Sequence, residues 1–105
     1  MRLSRILATV AAASILLSQA ADPPHIVQPP EGLVSSAETA IAIAVAVWIP
    51  IYGRATIESE KPYRAQLRDG VWTVEGSLPP GYVGGVAEID IAKRDGRITR
   101  VSHGK

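Results

Sequence analysis

Glu88 and Asp90 stand two residues apart, a spacing that sets two carboxylates on one face of a strand, as a general acid and base would require. Alternating acids on a strand more often mark a solvated face, and that is the reading adopted. Tyr52 with Asp90 is the other catalytic pairing, suited to a small apolar substrate in an enclosed pocket. The chain contains no cysteine, so thiol catalysis and thiolate metal sites are excluded. Neither histidine has a partner at metal-ligand spacing: His25 lies in a proline-rich stretch, and His103 is read as a hydrogen-bonding residue at the end of the last strand. "GYVGG" (81–85) lacks the Lys-Ser/Thr and following helix of a phosphate loop. The expectation is a non-enzymatic protein with no catalytic residue, metal or cofactor.

Its charges point away from nucleic acid. Eleven Lys and Arg face ten Asp and Glu. Arg2 and Arg5 belong to a segment that reads as a signal peptide: a basic start, a stretch from Ile6 to Ser18 that is apolar apart from Thr9, Ser14 and Ser18, and small residues Ser18 and Ala20 at the exit. The apolar stretch is shorter than the roughly 20 residues that span a bilayer, so cleavage after Ala20 is expected. No cysteine follows it, which excludes a lipoprotein. The remaining chain carries nine basic against ten acidic residues, without the basic footprint of a nucleic-acid binder. The expected location is periplasmic or secreted.

Residues 21–34 form a proline-rich linker with Pro23, Pro24, Pro29 and Pro30, and residues 35–105 form one domain. "SSAE" (35–38) predicts a helix start, with Ser35 capping and Glu38 reaching back. The following "AIAIAVAVWIPIY" (40–52) alternates like a strand, yet its cap and alanine content favour a buried helix. It is too short to cross a membrane. At 100° per residue Ile41, Val45, Trp48 and Tyr52 share one stripe, with Ala42 and Ala46 beside it to permit close approach to a sheet. Pro50 is expected to kink or end the helix near Trp48, with Gly53 as the stop. Ile43 and Val47 then point outward as an apolar patch suited to a protein contact or a homodimer.

Period-two alternation follows in "KPYRAQL" (61–67), "VWTVEGSL" (71–78), "VAEIDIA" (86–92) and "RITRVSHGK" (97–105). Asp69-Gly70 and "KRDG" (93–96) supply hairpin turns. The fold class is α+β, an amino-terminal helix on a curved four-stranded antiparallel sheet. Tyr63, Trp72 and Tyr82, with Arg97 and Arg100, are the expected partner contacts, because aromatics and arginine dominate binding hot spots, while Trp48 and Trp72 read equally as core residues. Lys93, Arg94, Arg97, Arg100 and Lys105 make the carboxyl-terminal end basic, either as an edge that resists strand pairing or as a patch for an acidic partner.

"PIYG", "KPY", "DGVW.VEG.LP", "GGVA.I.I.K.DG.I" and the terminal "SHGK" occur in an order and spacing that resemble the small bacterial NTF2-fold immunity proteins. The resemblance covers residues 36–105. It implies a helix against a curved antiparallel sheet, NTF2-like or cystatin-like, and a role in neutralising a cognate toxin of a polymorphic toxin system by direct binding. The chain is shorter than a full NTF2-like cone. The "I.I....G.I..V" pattern from Ile89 to Val101 is similar to a PepSY domain, which implies instead an inhibitor or regulator of an envelope protein.

Overall fold

Ser36 starts the first helix, α1 (Ala37–Tyr52): its extended backbone lets the hydroxyl accept a 3.1 Å hydrogen bond from the Thr39 amide. The cap therefore falls one residue later than the Ser35–Glu38 box. Glu38 instead lies in the first turn, where its charge complements the positive end of the helix dipole. The computed structural model describes residues 23–105, so the expected signal peptide, residues 1–20, lies outside the described residues.

Pro50 does not end α1, which continues to Tyr52 and is capped by Gly53, whose amide donates to the Ile49 carbonyl at 2.8 Å. The proline's missing N–H frees the Ala46 carbonyl, and Ala46 lies on the exposed side, where water can take the bond. A short second helix, α2 (Arg54–Glu58), has no counterpart among the expected elements. It buries Ile57 completely.

Four strands follow: β1 (Arg64–Arg68), β2 (Val71–Glu75), β3 (Ala87–Ala92) and β4 (Ile98–His103). They form an antiparallel meander in the order β1-β2-β3-β4, as the two turn signals implied. Asp69 and Gly70 take φ of 51° and 77°, the left-handed pair that a two-residue hairpin of this twist demands. Register sets two rows facing α1, Ala65-Val74-Ile89-Val101 and Leu67-Trp72-Ile91-Ile98. Two polar rows, Arg64-Glu75-Glu88-Ser102 and Gln66-Thr73-Asp90-Arg100, face away. Alternation alone would put Ile98 and Arg100 on the same side. A bulge prevents it: Ile91 opposes Ile98 and Asp90 opposes Arg100, leaving Thr99 without an opposite residue.

The helix meets the sheet along Ala40, Ala44 and Trp48, all fully buried. The expected stripe is therefore rotated: Ile41, Val45 and Tyr52 flank it half-buried, and Ala42 and Ala46 are exposed. The outward patch is corrected as well. Ile43 and Val47 are half-buried on the other flank and pack against the core, because a narrow alanine seam lets the helix sink until side chains on both sides touch the sheet.

The end of the proline-rich segment joins this core. Val34 is buried, and the Leu33 and Val34 amides donate to the Arg94 and Lys93 carbonyls, both at 3.0 Å. The Trp72 indole N–H donates to the Val34 carbonyl at 2.8 Å, which fixes the strap to the sheet.

The helix phase is open to a direct test by urea unfolding. Ala44→Leu is expected to overpack the seam and cost about 1–3 kcal/mol. Ala46→Leu should stay within about 0.5 kcal/mol of the unaltered protein. Equal effects at the two positions would contradict the helix orientation.

Candidate functional site

The face of the sheet opposite α1 carries a polar network centred on Arg100. Its Nε donates to Asp90 Oδ2, its Nη2 to Glu88 Oε1 and its Nη1 to Ser102 Oγ, each at 2.9 Å. The Thr73 hydroxyl adds a 2.8 Å bond to the other Asp90 oxygen. The Arg100 guanidinium, with help from Thr73 and against partial desolvation, holds the Asp90 carboxyl below its ordinary 3.8. Asp90 and Glu88 in turn push the Arg100 pKa further up. One guanidinium thus bridges the two acids that sequence spacing offered as a general acid and base, leaving a structural ion-pair cluster. Beside it, Arg64 reaches Glu75 at 3.4 Å.

A second cluster closes the end of the sheet on the helix side. Glu60, only 5% exposed, lies between α2 and β1. Its Oε1 accepts from the Ala87 amide at 2.8 Å, and its backbone carbonyl accepts from the Ser77 amide at 2.7 Å. Its Oε2 lies 2.7 Å from His103 Nε2, while His103 Nδ1 lies 2.7 Å from the Gly104 carbonyl. Both imidazole nitrogens thus face acceptors, and only the imidazolium can donate to both. The Gly104 carbonyl first and the Glu60 carboxylate second raise the His103 pKa, against the opposing effect of burial. The Tyr52 ring lies 5.0 Å from the imidazole, tilted by 54°. The expected hydrogen-bonding role for His103 is borne out. Its partner Glu60 is the residue that sequence reasoning missed.

The expected contact residues separate. Tyr82 is 69% exposed at the tip of the β2–β3 loop, beside Val83, which is 95% exposed. Arg100 lies on the open face. A shallow groove lined by Arg64, Glu75, Leu78, Gly85, Glu88 and Arg100 connects the loop with that face. Of its two readings Trp72 takes the core one, not the contact one: it is 8% exposed, with its N–H bonded to Val34. Tyr63 is half-buried and donates its hydroxyl to the Ile57 carbonyl at 2.7 Å. Burial, and then the charges of Glu58 and Glu60, raise its phenol pKa. Arg97 is exposed at the opposite end of the sheet, where its amide bonds to the Asp95 side chain. Ile43 and Val47 lie on the helix side. Of the contact candidates, Arg100 lines the groove, and Tyr82 belongs to the loop that supplies part of its wall.

Among the described residues no cluster of His, Cys, Asp and Glu is arranged to hold a metal ion. None of their helices is long and apolar enough to cross a membrane.

A family model described as NTF2 fold immunity protein matches residues 39–105, which take in nearly all of α1, α2 and the whole sheet. An uncharacterized protein of Escherichia coli (strain K12), YhhH, is 44% identical over 55 residues. The match covers 51% of this chain and 43% of that relative's length. No solved structure matches the chain.

The Asp90–Arg100 contact has a defined acid signature. A carboxyl whose folded pKa is depressed stabilises the protein above its unfolded value of 3.8, and that contribution is lost as pH falls through the folded value. Asp90→Asn should therefore be less stable than the unaltered protein near neutral pH, with the difference closing in acid below pH 3.8. Urea unfolding at stepped pH reads this directly, and a difference that persists in strong acid would contradict it.

Proposed function

The chain belongs to the NTF2 fold immunity protein family, and on that premise we propose that it neutralises a cognate toxin by direct binding. The family match across residues 39–105 carries this reading. The binding surface is the β2–β3 loop together with the open sheet face. Pro79 and Pro80 limit the loop's freedom, so less conformational entropy is lost when it docks. Tyr82 and Val83 present apolar area that the protein itself leaves uncovered. Arg100 and Arg64 lie along the adjoining groove, with Glu75 and Glu88 between them. This mixed-charge surface suits a polar interface rim around an apolar anchor. Inhibition then works by occlusion, with no turnover and no cofactor. Export directed by residues 1–20 sets the encounter outside the cytoplasm, against a toxin acting in the envelope or beyond it.

The test uses the full-length protein expressed with its leader and the toxin domain encoded beside its gene. Stoichiometric complex formation and rescue of toxin-inhibited growth are expected. Tyr82→Ala should weaken the complex by about thirtyfold, the size of one hot-spot residue, without shifting the melting temperature. No complex with the neighbouring gene's product would sink the immunity reading. A complex unaffected by Tyr82→Ala and Val83→Asp would move the interface elsewhere.

A further inference from the structure

We infer that His103 is a proton-operated latch on the base of the β2–β3 loop. The imidazolium spans two acceptors of different kinds. Glu60 Oε2 belongs to a buried carboxylate already held by the Ala87 amide, and the Gly104 carbonyl belongs to the carboxyl-terminal residues. A neutral imidazole has one N–H and satisfies only one of them. The buried carboxylate is costlier to leave unpaired, so the neutral ring keeps Glu60 and releases Gly104.

Gly104 is in turn the surface against which the loop's carboxyl-terminal stem rests. A Cβ placed on Gly85 would lie 2.1 Å from Gly104 backbone atoms, so the two chains meet backbone to backbone. The Gly104 amide donates to the Val86 carbonyl at 3.3 Å, and a Cβ placed on Gly84 would lie 3.4 Å from the Lys105 backbone. Tyr82 and Val83 directly precede this stem. Releasing Gly104 therefore loosens the segment that aims the exposed side chains.

The groups facing the imidazole are Glu60 from the α2–β1 connection and Tyr52 from α1, with Ala87 opposite on β3. Arg100 and Ser102 of the same strand belong to the polar rows on the other face of the sheet, and the groove that His103 borders also carries the charges of Arg64, Glu75, Glu88 and Arg100. Because the folded pKa is raised above 6.5, the latch is fully engaged below that value and opens as pH rises through the folded pKa. Control of toxin affinity by this latch rests on the immunity reading. The latch itself is a property of the free protein and is tested without a partner.

The experiment is an NMR titration of the purified protein from mildly acid to alkaline pH. The His103 ring is expected to titrate above 6.5. The amides of Gly84, Gly85 and Gly104 should follow with the same midpoint, and Gly104 exchange should accelerate tenfold or more beyond the intrinsic effect of base. His103→Gln, whose side chain has one donor nitrogen in place of the imidazolium's two, should show the open-state loop shifts at every pH. The titration of the unaltered protein decides the matter even if that variant fails to fold. A midpoint at or below 6.5, or loop amides that ignore the His103 titration, would overturn the latch and leave the toxin-binding reading untouched.

Discussion

A carboxylate removed from water must find donors or lose its charge, and Glu60 shows how much structure that requirement gathers. Its two oxygens take the Ala87 amide at the start of β3 and the His103 ring at the end of β4. Its own carbonyl takes the Ser77 amide just beyond β2. Three of the four strands and the α2 connection thus converge on one residue. In a chain without cysteine no disulfide can tie these elements together, and the polar knot takes that part. It differs in kind, because protons can alter it.

At the other end the tie is apolar and backbone-mediated. Val34 enters the core, Trp72 bonds to its carbonyl, and the strap pairs with the β3–β4 turn. Between these ends the alanine seam of α1 brings the helix onto the sheet, with Trp48 as its largest buried residue. The bulge at Thr99 lets β4 supply Ile98 to the helix side and Arg100 to the open side. One strand thereby serves both the packing and the polar network.

The sequence made the elements legible where the signal is local. Asp69-Gly70 specified a hairpin because its left-handed geometry is rare and its residues are suited to it. The alternation of Ala87, Ile89 and Ile91 with Glu88 and Asp90 gave β3 and both its faces. The phase of α1 was not legible from apolar weight, because nearly every residue in it is apolar. The seam is chosen by smallness at Ala40 and Ala44 instead, which only the facing sheet reveals. The Thr99 bulge leaves no mark in residue type. Glu60 and His103 are 43 residues apart, so no pattern along the chain couples them. Chemical type picked out Tyr82 and Arg100, which are exposed, and the same criterion drew in Trp72 and Tyr63, whose polar atoms bond to carbonyls of their own fold.

The docked strap gives the molecule a polarity. Leu33 and Val34 bind beside the turns at Gly70 and Lys93, whereas Tyr82 and Val83 project from the other end of β2 and β3. About one strand length, roughly 17 Å, separates the two ends. The strap thus joins the core at the end of the sheet remote from the loop. A label, a solid support or a fused protein joined on the amino-terminal side would leave the loop's approach clear. A bulky addition after Lys105 would crowd Gly84 at the base of that loop.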